Sequence, residues 1–267
     1  MNRKCVPLIL AAFFLMNLSV GAEELRIWGL NSPPGNFIDE NERFVGLSVD
    51  VVQEIQQRVG NKDKIEMVPW KRIYRTALKE PNVVFFSAAR TPERENKFHW
   101  ITLMMRKPWA LYAKKDSTLQ IKSLDDAKKV GGIGVLAGGI RGTWLQQQGF
   151  TNIDRVATHE LNVAKLVRRR VDLILYSPQG MAHTCRESGY DFGKFKIVLV
   201  PHSSLSYLAM SKNGTSEKTV NLWKEAAHKM KKDGSFEKIA GKWAAYTREK
   251  NGIECEVKDG ALNFWKQ

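Results

Sequence analysis

The side chains best suited to binding chemistry in this chain are Ser87 and Arg94, which follow an apolar run, VVFF, at residues 83–86. A guanidinium presents a planar fork of N–H donors that matches the two oxygens of a carboxylate, and a nearby hydroxyl can supply a further donor. The pair therefore predicts a binding site for a small molecule with an acid group. The alternative is that Arg94 only forms a surface ion pair with Glu93 or Glu95.

The element that must position this pair is predicted to be a strand, a turn of small residues and a short helix. Residues 83–86 have the composition of a strand buried on both faces, and residues 87–89 are small enough for a tight turn. Thr91 is suited to cap the following helix, and Pro92 fits its first position because the N–H that proline lacks has no partner there. Open α/β sheets bind small ligands at such strand-to-helix connections.

Three stretches of the sequence resemble one protein family. They are TPER at residues 91–94, PPGNFIDENERFVGLSVDVVQEI at residues 33–55 and KKDGSFEKIAGKW at residues 231–243. They resemble the family 3 extracellular solute-binding proteins, the periplasmic receptors of polar amino acid uptake systems, over nearly all of residues 24–246. The resemblance implies an α/β fold of the periplasmic-binding-protein-like type (type II). Two lobes, each a mostly parallel sheet flanked by helices, would be joined by two hinge strands.

The resemblance also implies how the chain is divided. Residues 23–106 and 207–267 are expected to form lobe 1, and residues 107–206, with both crossings, are expected to form lobe 2. The first hinge is placed near residues 106–109 and the second at residues 201–207. Local patterns predict strands at residues 25–30, 64–68, 133–136 and 171–176, and helices at residues 47–59, 162–167 and 216–232.

In the resembled family, the arginine of the TPER segment clamps the ligand carboxylate, which implies this role for Arg94 with Ser87 beside it. Family members often place an aromatic residue, stacked on the ligand, at the start of the second helix, and Trp70 stands there. The alternative is that Trp70 is a core residue under the loop. Where the family usually has an aromatic residue, this chain has Gly35, so one wall of the pocket is expected to be missing or supplied from elsewhere.

The second lobe is expected to contribute a glycine turn and the end of a strand. After the predicted strand at residues 133–136, free amides at the helix start point to Gly139 and Ile140, and Arg141 adds a positive charge. Arg141 is a candidate anion contact, or else a solvated helix-start residue. In the amino acid receptors of the resembled family, the strand that corresponds to residues 171–176 ends near an aspartate, which holds the ligand's α-ammonium group. Ser177 stands at that place in this chain. Ser177 therefore implies that another carboxylate takes this role or that the ligand is not a plain α-amino acid.

The chain begins with a pattern typical of a secretory signal. Basic residues are followed by an apolar run at residues 5–18 and by small residues up to Ala22, after which cleavage is expected. The mature protein is therefore predicted to be periplasmic. The formal net charge is +14. Because the protein is exported and its Lys and Arg residues are scattered, a solvated basic surface that attracts anions is favoured over nucleic-acid binding.

The prediction that follows is a receptor and not an enzyme. As a monomer, it captures a small anionic or zwitterionic solute, an amino acid or related organic acid, and delivers it to the inner-membrane permease of an ABC transporter. No catalytic residue, metal site or cofactor is expected, since the five histidines form no HExxH helix and the sequence has no GxSxG elbow or P-loop. The alternatives are a periplasmic enzyme on the same scaffold, similar to cyclohexadienyl dehydratase, and a ligand-sensing module.

Two cysteines remain after removal of the predicted signal, Cys185 and Cys255. An oxidising compartment permits a disulfide between them, which would tie the C-terminal tail to the second lobe or its edge. The alternative is a pair of unconnected buried thiols.

Overall fold

A computed structural model describes residues 24–33 and 35–264 of the protein, so the predicted signal at residues 1–22 lies outside the described residues. The described part contains twelve strands, eight α-helices and two short 3-10 helices. None of these helices is both long and apolar enough to cross a membrane. The strands are β1 Arg26–Gly29, β2 Phe37–Ile38, β3 Phe44–Val45, β4 Ile65–Met67, β5 Val83–Ala89, β6 Phe98–Lys114, β7 Ile133–Leu136, β8 Ile153–Val156, β9 Leu173–Tyr176, β10 Phe195–Ser211, β11 Glu256–Lys258 and β12 Ala261–Asn263. The α-helices are α1 Leu47–Val59, α2 Trp70–Ala77, α3 Leu124–Lys128, α4 Ile140–Gln147, α5 His159–Val167, α6 Pro178–Glu187, α7 Glu217–Lys232 and α8 Ser235–Asn251, and the 3-10 helices are Pro92–Lys97 and Phe192–Lys194.

A mixed sheet with the strand order β4-β1-β5-β10-β6-β9-β7-β8 runs through the molecule. At one end β1 is parallel to β4 and β5, and we call this group the first unit. At the other end β7 is parallel to β8 and β9, which form the second unit. Between the units, β6 and β10 are antiparallel to each other and to their outer neighbours. This arrangement confirms the predicted α/β class with parallel sheets joined by two strands.

The two joining strands, β6 and β10, have 17 residues each, and we call the pair the central ribbon. They pair from Phe98 opposite Ser211 to Lys114 opposite Phe195, so each strand crosses from one unit to the other. Four register shifts interrupt the pairing, and such shifts let a ribbon bend. Pro201 falls within one of them, where its missing N–H breaks no ladder hydrogen bond. The two strands therefore run unbroken through residues 106–109 and 201–207, where the hinges were predicted.

The two units have separate apolar cores. In the first unit, side chains alternate across the sheet, so that Ile27, Val84 and Phe86 face a core shared with α1, α7 and α8. Trp28 and Phe85 face a second core on the other side, shared with α2. Two further clusters fill the two faces of the second unit, and none of their buried residues belongs to the cores of the first unit. The division into lobes at residues 106–107 and 206–207 stays a proposal that this separation supports.

The ends of the long helices follow the predicted local signals. Gly60 ends α1 in the left-handed conformation, with φ of 71°, which glycine adopts without steric cost. Ser216 caps α7, since its hydroxyl accepts a hydrogen bond from the N–H of Thr219 at 3.2 Å. Gly234, the predicted stop of α7, is also left-handed, with φ of 84°. The predicted boundaries of α1 and α7 are confirmed.

A C-terminal hairpin closes over the ribbon. β11 pairs with β12, and β12 runs parallel to β6 at Met105 and Arg106. The side chain of Phe264 is fully buried, and its backbone N–H donates to the carbonyl of Arg106 at 3.2 Å. The amide of Gln179 in α6 donates to the carbonyl of Phe264. The hairpin thus joins the ribbon to a helix of the second unit.

The predicted disulfide is wrong, because both cysteines are free thiols. Cys185 in α6 is buried within a core of the second unit, whereas Cys255 packs against a core of the first. Burial raises the pKa of Cys185 to about 11 and that of Cys255 to about 12. Both thiols therefore stay protonated and unreactive at neutral pH.

Candidate functional site

Ser87 lies inside β5 and not in a turn, because Ala88 and Ala89 continue the strand by pairing with β10. Its backbone is left-handed, with φ of 60°, which costs a non-glycine residue about 1 kcal/mol or more. The hydroxyl donates to Oδ1 of the fully buried Asn36 and lies 3.2 Å from Oγ of Ser48. The strained backbone thus holds Ser87 in a polar network between α1 and the β1–β2 connection.

Arg94 lies in the 3-10 helix that follows β5, where the prediction placed a short helix. Its guanidinium carbon is 4.9 Å from the ring centre of Trp70 and 5.3 Å from that of Tyr74, and Nη1 donates to the carbonyl of Ala89 at 3.2 Å. Within the described residues Arg94 forms no ion pair, since Arg90 is the partner of Glu95. The guanidinium is therefore held by aromatic rings and keeps donors for a ligand.

Trp70 is the first residue of α2, as predicted. Its ring lies 5.6 Å from that of Tyr74 and 6.3 Å from that of Phe85. Trp70 is only partly buried and packs against the edge of the core between α2 and the sheet. The ring of Trp70 packs against the guanidinium of Arg94. Stacking of Trp70 on a ligand stays a prediction.

In the second unit, the glycine turn leads from β7 into α4 as predicted. Gly138 is left-handed, with φ of 70°, and Gly139 is the N-cap of α4. The N–H of Gly139 donates to the carbonyl of Leu136 at 3.1 Å, so this amide is not free for a ligand. The amides of Ile140 and Arg141 belong to the first helical turn, where an N–H has no acceptor within the helix. They are the free donors of this turn.

Arg141 projects from α4 to a position between two aromatic rings. Its guanidinium carbon is 5.5 Å from the ring centre of Trp109 and 5.3 Å from that of Tyr176. Nε is buried and has no hydrogen-bond partner among the described residues. Burial lowers the pKa of Arg141 to about 10, so the group remains charged at neutral pH. Arg141 is thus not the solvated residue of the alternative interpretation.

Lys107 was not recognised from the sequence, although it lies in the predicted hinge. Its Nζ donates to Oγ of Ser32 at 2.8 Å. Burial, and secondly the charge of Arg141, lower the pKa of Lys107 to about 8. Among the described residues, no carboxylate lies within 4.0 Å of Lys107 or Arg141, the distance that defines an ion pair here. Two adjacent basic residues, Arg106 and Lys107, within a mostly apolar strand were the available signal.

Ser177 has a structural role at the end of β9. Its hydroxyl accepts a hydrogen bond from the N–H of Gly180 at 3.2 Å and caps α6. The side chain is neutral where an acid would bind an ammonium group. His159, which the sequence analysis also missed, stacks on Tyr176 at 3.8 Å between ring centres. Burial, and secondly the charge of Arg141, lower the pKa of His159 to about 4, so it is neutral at pH 7.

The structure collects the predicted residues in two groups, with Lys107 between them. Ser87, Arg94 and Trp70 belong to the first unit, and the Gly139–Ile140–Arg141 turn and Ser177 belong to the second. The ribbon connects them, because Ser206 of β10 pairs with Ala89 on one side and with Met105 of β6 on the other. Strand spacing puts the Cα atoms of Ala89 and Lys107 roughly 12 Å apart.

A separate cavity of about 790 Å³ opens between α6 and α8. Its lining includes acidic and basic side chains together, such as Asp39 with Arg43 and Asp50 with Lys242, which form ion pairs. None of the predicted site residues lines it. In residues 24–33 and 35–264, no group of three or more His, Cys, Asp or Glu side chains is placed to hold a metal ion. Uncompensated cations therefore distinguish the ribbon site from this cavity.

Comparison with known families gives one match that covers most of the chain. The family described as bacterial extracellular solute-binding proteins, family 3, matches residues 26–246. No curated protein matches the chain.

Solved structures with similar folds include three of different roles. A histidine kinase sensor domain with similarity to periplasmic binding proteins is 17% identical, with a TM-score of 0.69 over 82% of this chain and 95% of that chain. The probable amino-acid ABC transporter extracellular-binding protein ytmK from Bacillus subtilis is 18% identical, with a TM-score of 0.68 over 82% and 97%. An ancestral amino acid-binding protein, a precursor of cyclohexadienyl dehydratase, is 21% identical, with a TM-score of 0.64 over 82% and 94%. At such identities the likeness carries the fold alone, and it confirms the predicted periplasmic-binding-protein-like fold.

Proposed function

The chain belongs to family 3 of the bacterial extracellular solute-binding proteins, and from this premise we propose that it is a periplasmic receptor for a small carboxylate-bearing solute. After cleavage at Ala22, the monomeric protein would bind the solute between its two units and deliver it to an inner-membrane ABC transporter. The observation that carries the proposal is the guanidinium of Arg94, which lies beside Trp70 and forms no ion pair with any described residue. A guanidinium that is held in place and keeps free N–H donors can bind a carboxylate through charged hydrogen bonds.

The proposed binding mode assigns one task to each group. Arg94 would hold the acid group through its free N–H donors, with the network around Ser87 fixing the strand beneath it. Trp70 would stack on the body of the solute. From the second unit, the amides of Ile140 and Arg141 would reach the ligand only when the units close. A solute that contacts both units favours the closed form by its additional contacts there, which is how ligand binding drives hinge closure.

The proposal is tested by identifying the bound solute. Protein purified without unfolding is analysed by native mass spectrometry, and a panel of organic acids, amino acids and amines is screened by the shift of the melting temperature. A co-purified or stabilising carboxylate supports the proposal, and a matching uptake defect in cells that lack the protein would support the transport role. If only amines stabilise the protein, or if none of the panel does and no solute co-purifies, the proposal is wrong.

An enzyme on the same scaffold is the second candidate. The observation that favours it is Lys107, whose pKa is lowered to about 8 by burial and by Arg141, so that it can exchange a proton near neutral pH. One neighbour in fold is a precursor of cyclohexadienyl dehydratase. Incubation with the cyclic precursors of aromatic amino acids separates the candidates, since turnover indicates an enzyme and a stable complex without product indicates a receptor. A sensing module, as in the histidine kinase neighbour, would instead leave solute uptake unchanged in cells that lack the protein.

A further inference from the structure

Lys107 and Arg141 form a pair of cations whose counter-charge is missing from the described residues. Lys107 donates a single hydrogen bond, to the neutral hydroxyl of Ser32, and Arg141 contacts the faces of Trp109 and Tyr176. Both residues are half-buried, and a charge that is partly shielded from water without a partner loses part of its hydration energy. The described residues thus leave this pair without a counter-charge, which a bound anion would supply.

The two cations are neighbours at the central ribbon. Side chains alternate along a strand, so Lys107 and Trp109 point to the same face of β6. Across the ribbon, Ser204 lies opposite Lys107 and His202 opposite Trp109. The rings of Trp109 and His202, 4.5 Å apart, share this face as the pairing requires. Arg141 contacts Trp109 on this face and also Tyr176, which pairs with Ala110 and belongs to the opposite face, so its guanidinium lies at the edge between the two faces. The charge of Arg141 nevertheless acts on Lys107, which shows that the two cations are neighbours.

Three polar atoms in this region are buried without a hydrogen-bond partner among the described residues. They are Nε of Arg141, Nδ1 of His159 and Oγ of Ser206. Ser206 lies opposite Met105, which precedes Lys107 by two residues on the same face of the ribbon. Buried polar atoms without a partner are uncommon in native proteins and need an explanation. An anionic group bound between Lys107 and Arg141 would give the guanidinium an acceptor.

Among the described residues, no acid lies within ion-pair distance of Lys107 or Arg141. Ser177 is neutral and occupied as a helix cap. Burial is the largest cause of the pKa shifts of His159 and Tyr176. The charge of Glu160 raises both pKa values to a smaller extent, but Glu160 forms no ion pair with Arg141. An α-amino acid would therefore have to place its ammonium group near two cations and no carboxylate, which is unfavourable.

We propose that Lys107 and Arg141 together bind a second anionic group of the solute, and that the preferred ligand is a dianionic organic acid. This assignment rests on the proposed receptor function, in which Arg94 holds the first carboxylate. The second group is a carboxylate or a phosphate, which share the acceptor geometry that a guanidinium and an ammonium recognise. Arg94 donates to the carbonyl of Ala89, so Ala89 marks the position of the first group. The Cα atoms of Ala89 and Lys107 are roughly 12 Å apart, and the side chains of Arg94 and Lys107 shorten the gap between the two charges, which suits an acid with a short carbon chain.

The test compares acids of matched length by calorimetric titration. Succinate, glutarate and 2-oxoglutarate represent dicarboxylates, butyrate and valerate monocarboxylates, 3-phosphoglycerate a phosphorylated acid, and glutamate and arginine amino acids. Lys107→Met and Arg141→Met should each weaken the best dianion by about 10- to 100-fold, the loss of a charged hydrogen bond. Lys115→Met removes an exposed lysine just beyond the end of β6 and should change the affinity less than twofold. If Arg141→Met does not fold, Arg141→Lys keeps the charge without the planar fork and should give a smaller loss.

The outcomes separate this inference from the receptor function. Binding of a dicarboxylate or of 3-phosphoglycerate that is lost in both variants supports the inference and identifies the second group. If an amino acid or a monocarboxylate binds most tightly and both variants keep its affinity, the inference is overturned while the receptor function stands. A dianion that both variants bind unchanged also overturns it. If no acid, amino acid or co-purified solute binds at all, the receptor function fails and the inference fails with it.

Discussion

Arg94 is fixed at the edge of an aromatic cluster, and its charge has no acidic partner in the described part of the chain. This placement gives the first prediction at the scale of single residues. Arg94→Ala should weaken the preferred acid by about 1.5–3 kcal/mol, because it removes charged hydrogen bonds to a carboxylate. Calorimetric titration measures the loss. Arg75→Ala, which removes an exposed arginine of α2, is the matched control and should leave the affinity unchanged. Equal affinity of Arg94→Ala and the parent protein would refute the role of Arg94.

Lys107 gives a prediction of pH dependence. Burial, and secondly the charge of Arg141, lower its pKa to about 8 in the ligand-free protein, whereas an unfolded lysine titrates at about 10.4. Between these values the unfolded chain binds more protons, so this group makes the free energy of unfolding increase as the pH rises. Binding of an anion favours the charged lysine, so the affinity should decrease as the pH rises through 8.

The measurement is calorimetry at pH 7 and pH 9.5, with denaturant unfolding of the ligand-free protein at the same pH values. The other titratable groups around Lys107 are Arg141 in α4, His159 and Tyr176 next to Arg141, and His202 on the paired strand. The pKa values of both histidines are lowered, mainly by burial, so both are neutral throughout this range. Lys107→Met should remove most of the decrease in affinity and leave only the small part that comes from Arg141, whose pKa is about 10. A decrease of the same size in this variant would assign the titration to another group.

At the scale of elements, the connection between β9 and α6 combines a helix cap with a site position. Ser177→Asp should keep the cap, since aspartate is as good an N-cap as serine, and should place a carboxylate near Arg141 and Tyr176. We expect this variant to bind a dianion more weakly and a zwitterionic amino acid more strongly. Titration with one ligand of each class measures the change.

Ser177→Ala is the control for this variant. It removes the cap without adding a charge, and it should lower the free energy of unfolding by about 1 kcal/mol while the preference between ligands stays the same. If Ser177→Asp and Ser177→Ala change the preference equally, the added carboxylate is not the cause.

Elements defined by local patterns could be predicted from the sequence, and elements defined by long-range pairing could not. The boundaries of β7 and the stop of α1 at Gly60 depend on nearby residues, and both were predicted correctly. The unbroken ribbon depends on pairing between residues about 100 positions apart along the chain, so its continuity across Pro201 left no local sign.

The candidate site divides in the same way. The TPER segment located Arg94, and a glycine turn located Arg141, because both follow recognisable strand-to-helix connections. The left-handed backbone of Ser87 and the unpaired charge of Lys107 result from contacts with Asn36, Ser48, Ser32 and Arg141, which lie far away in the sequence. The prediction of a disulfide was wrong for a related reason. The redox compartment and the number of cysteines do not determine the distance between Cys185 and Cys255.

At the scale of the whole molecule, two units joined by a ribbon are expected to change their relative orientation on binding. Addition of a saturating dianion should decrease the radius of gyration measured by small-angle X-ray scattering, because contacts to both units favour the closed form. The double variant Lys107→Met, Arg141→Met should show no decrease at the same ligand concentration. A radius that stays constant in the parent protein while calorimetry reports binding would contradict closure.

The C-terminal hairpin has a mechanical consequence. The hairpin pairs with β6 at Met105 and Arg106 and buries Phe264. It therefore stiffens one part of the central ribbon. Bending of the ribbon should therefore concentrate just beyond the stiffened part, in the residues that include Lys107 and Trp109. The charge that binds the solute would then lie at the hinge itself, so a bound molecule would directly set the angle between the two units.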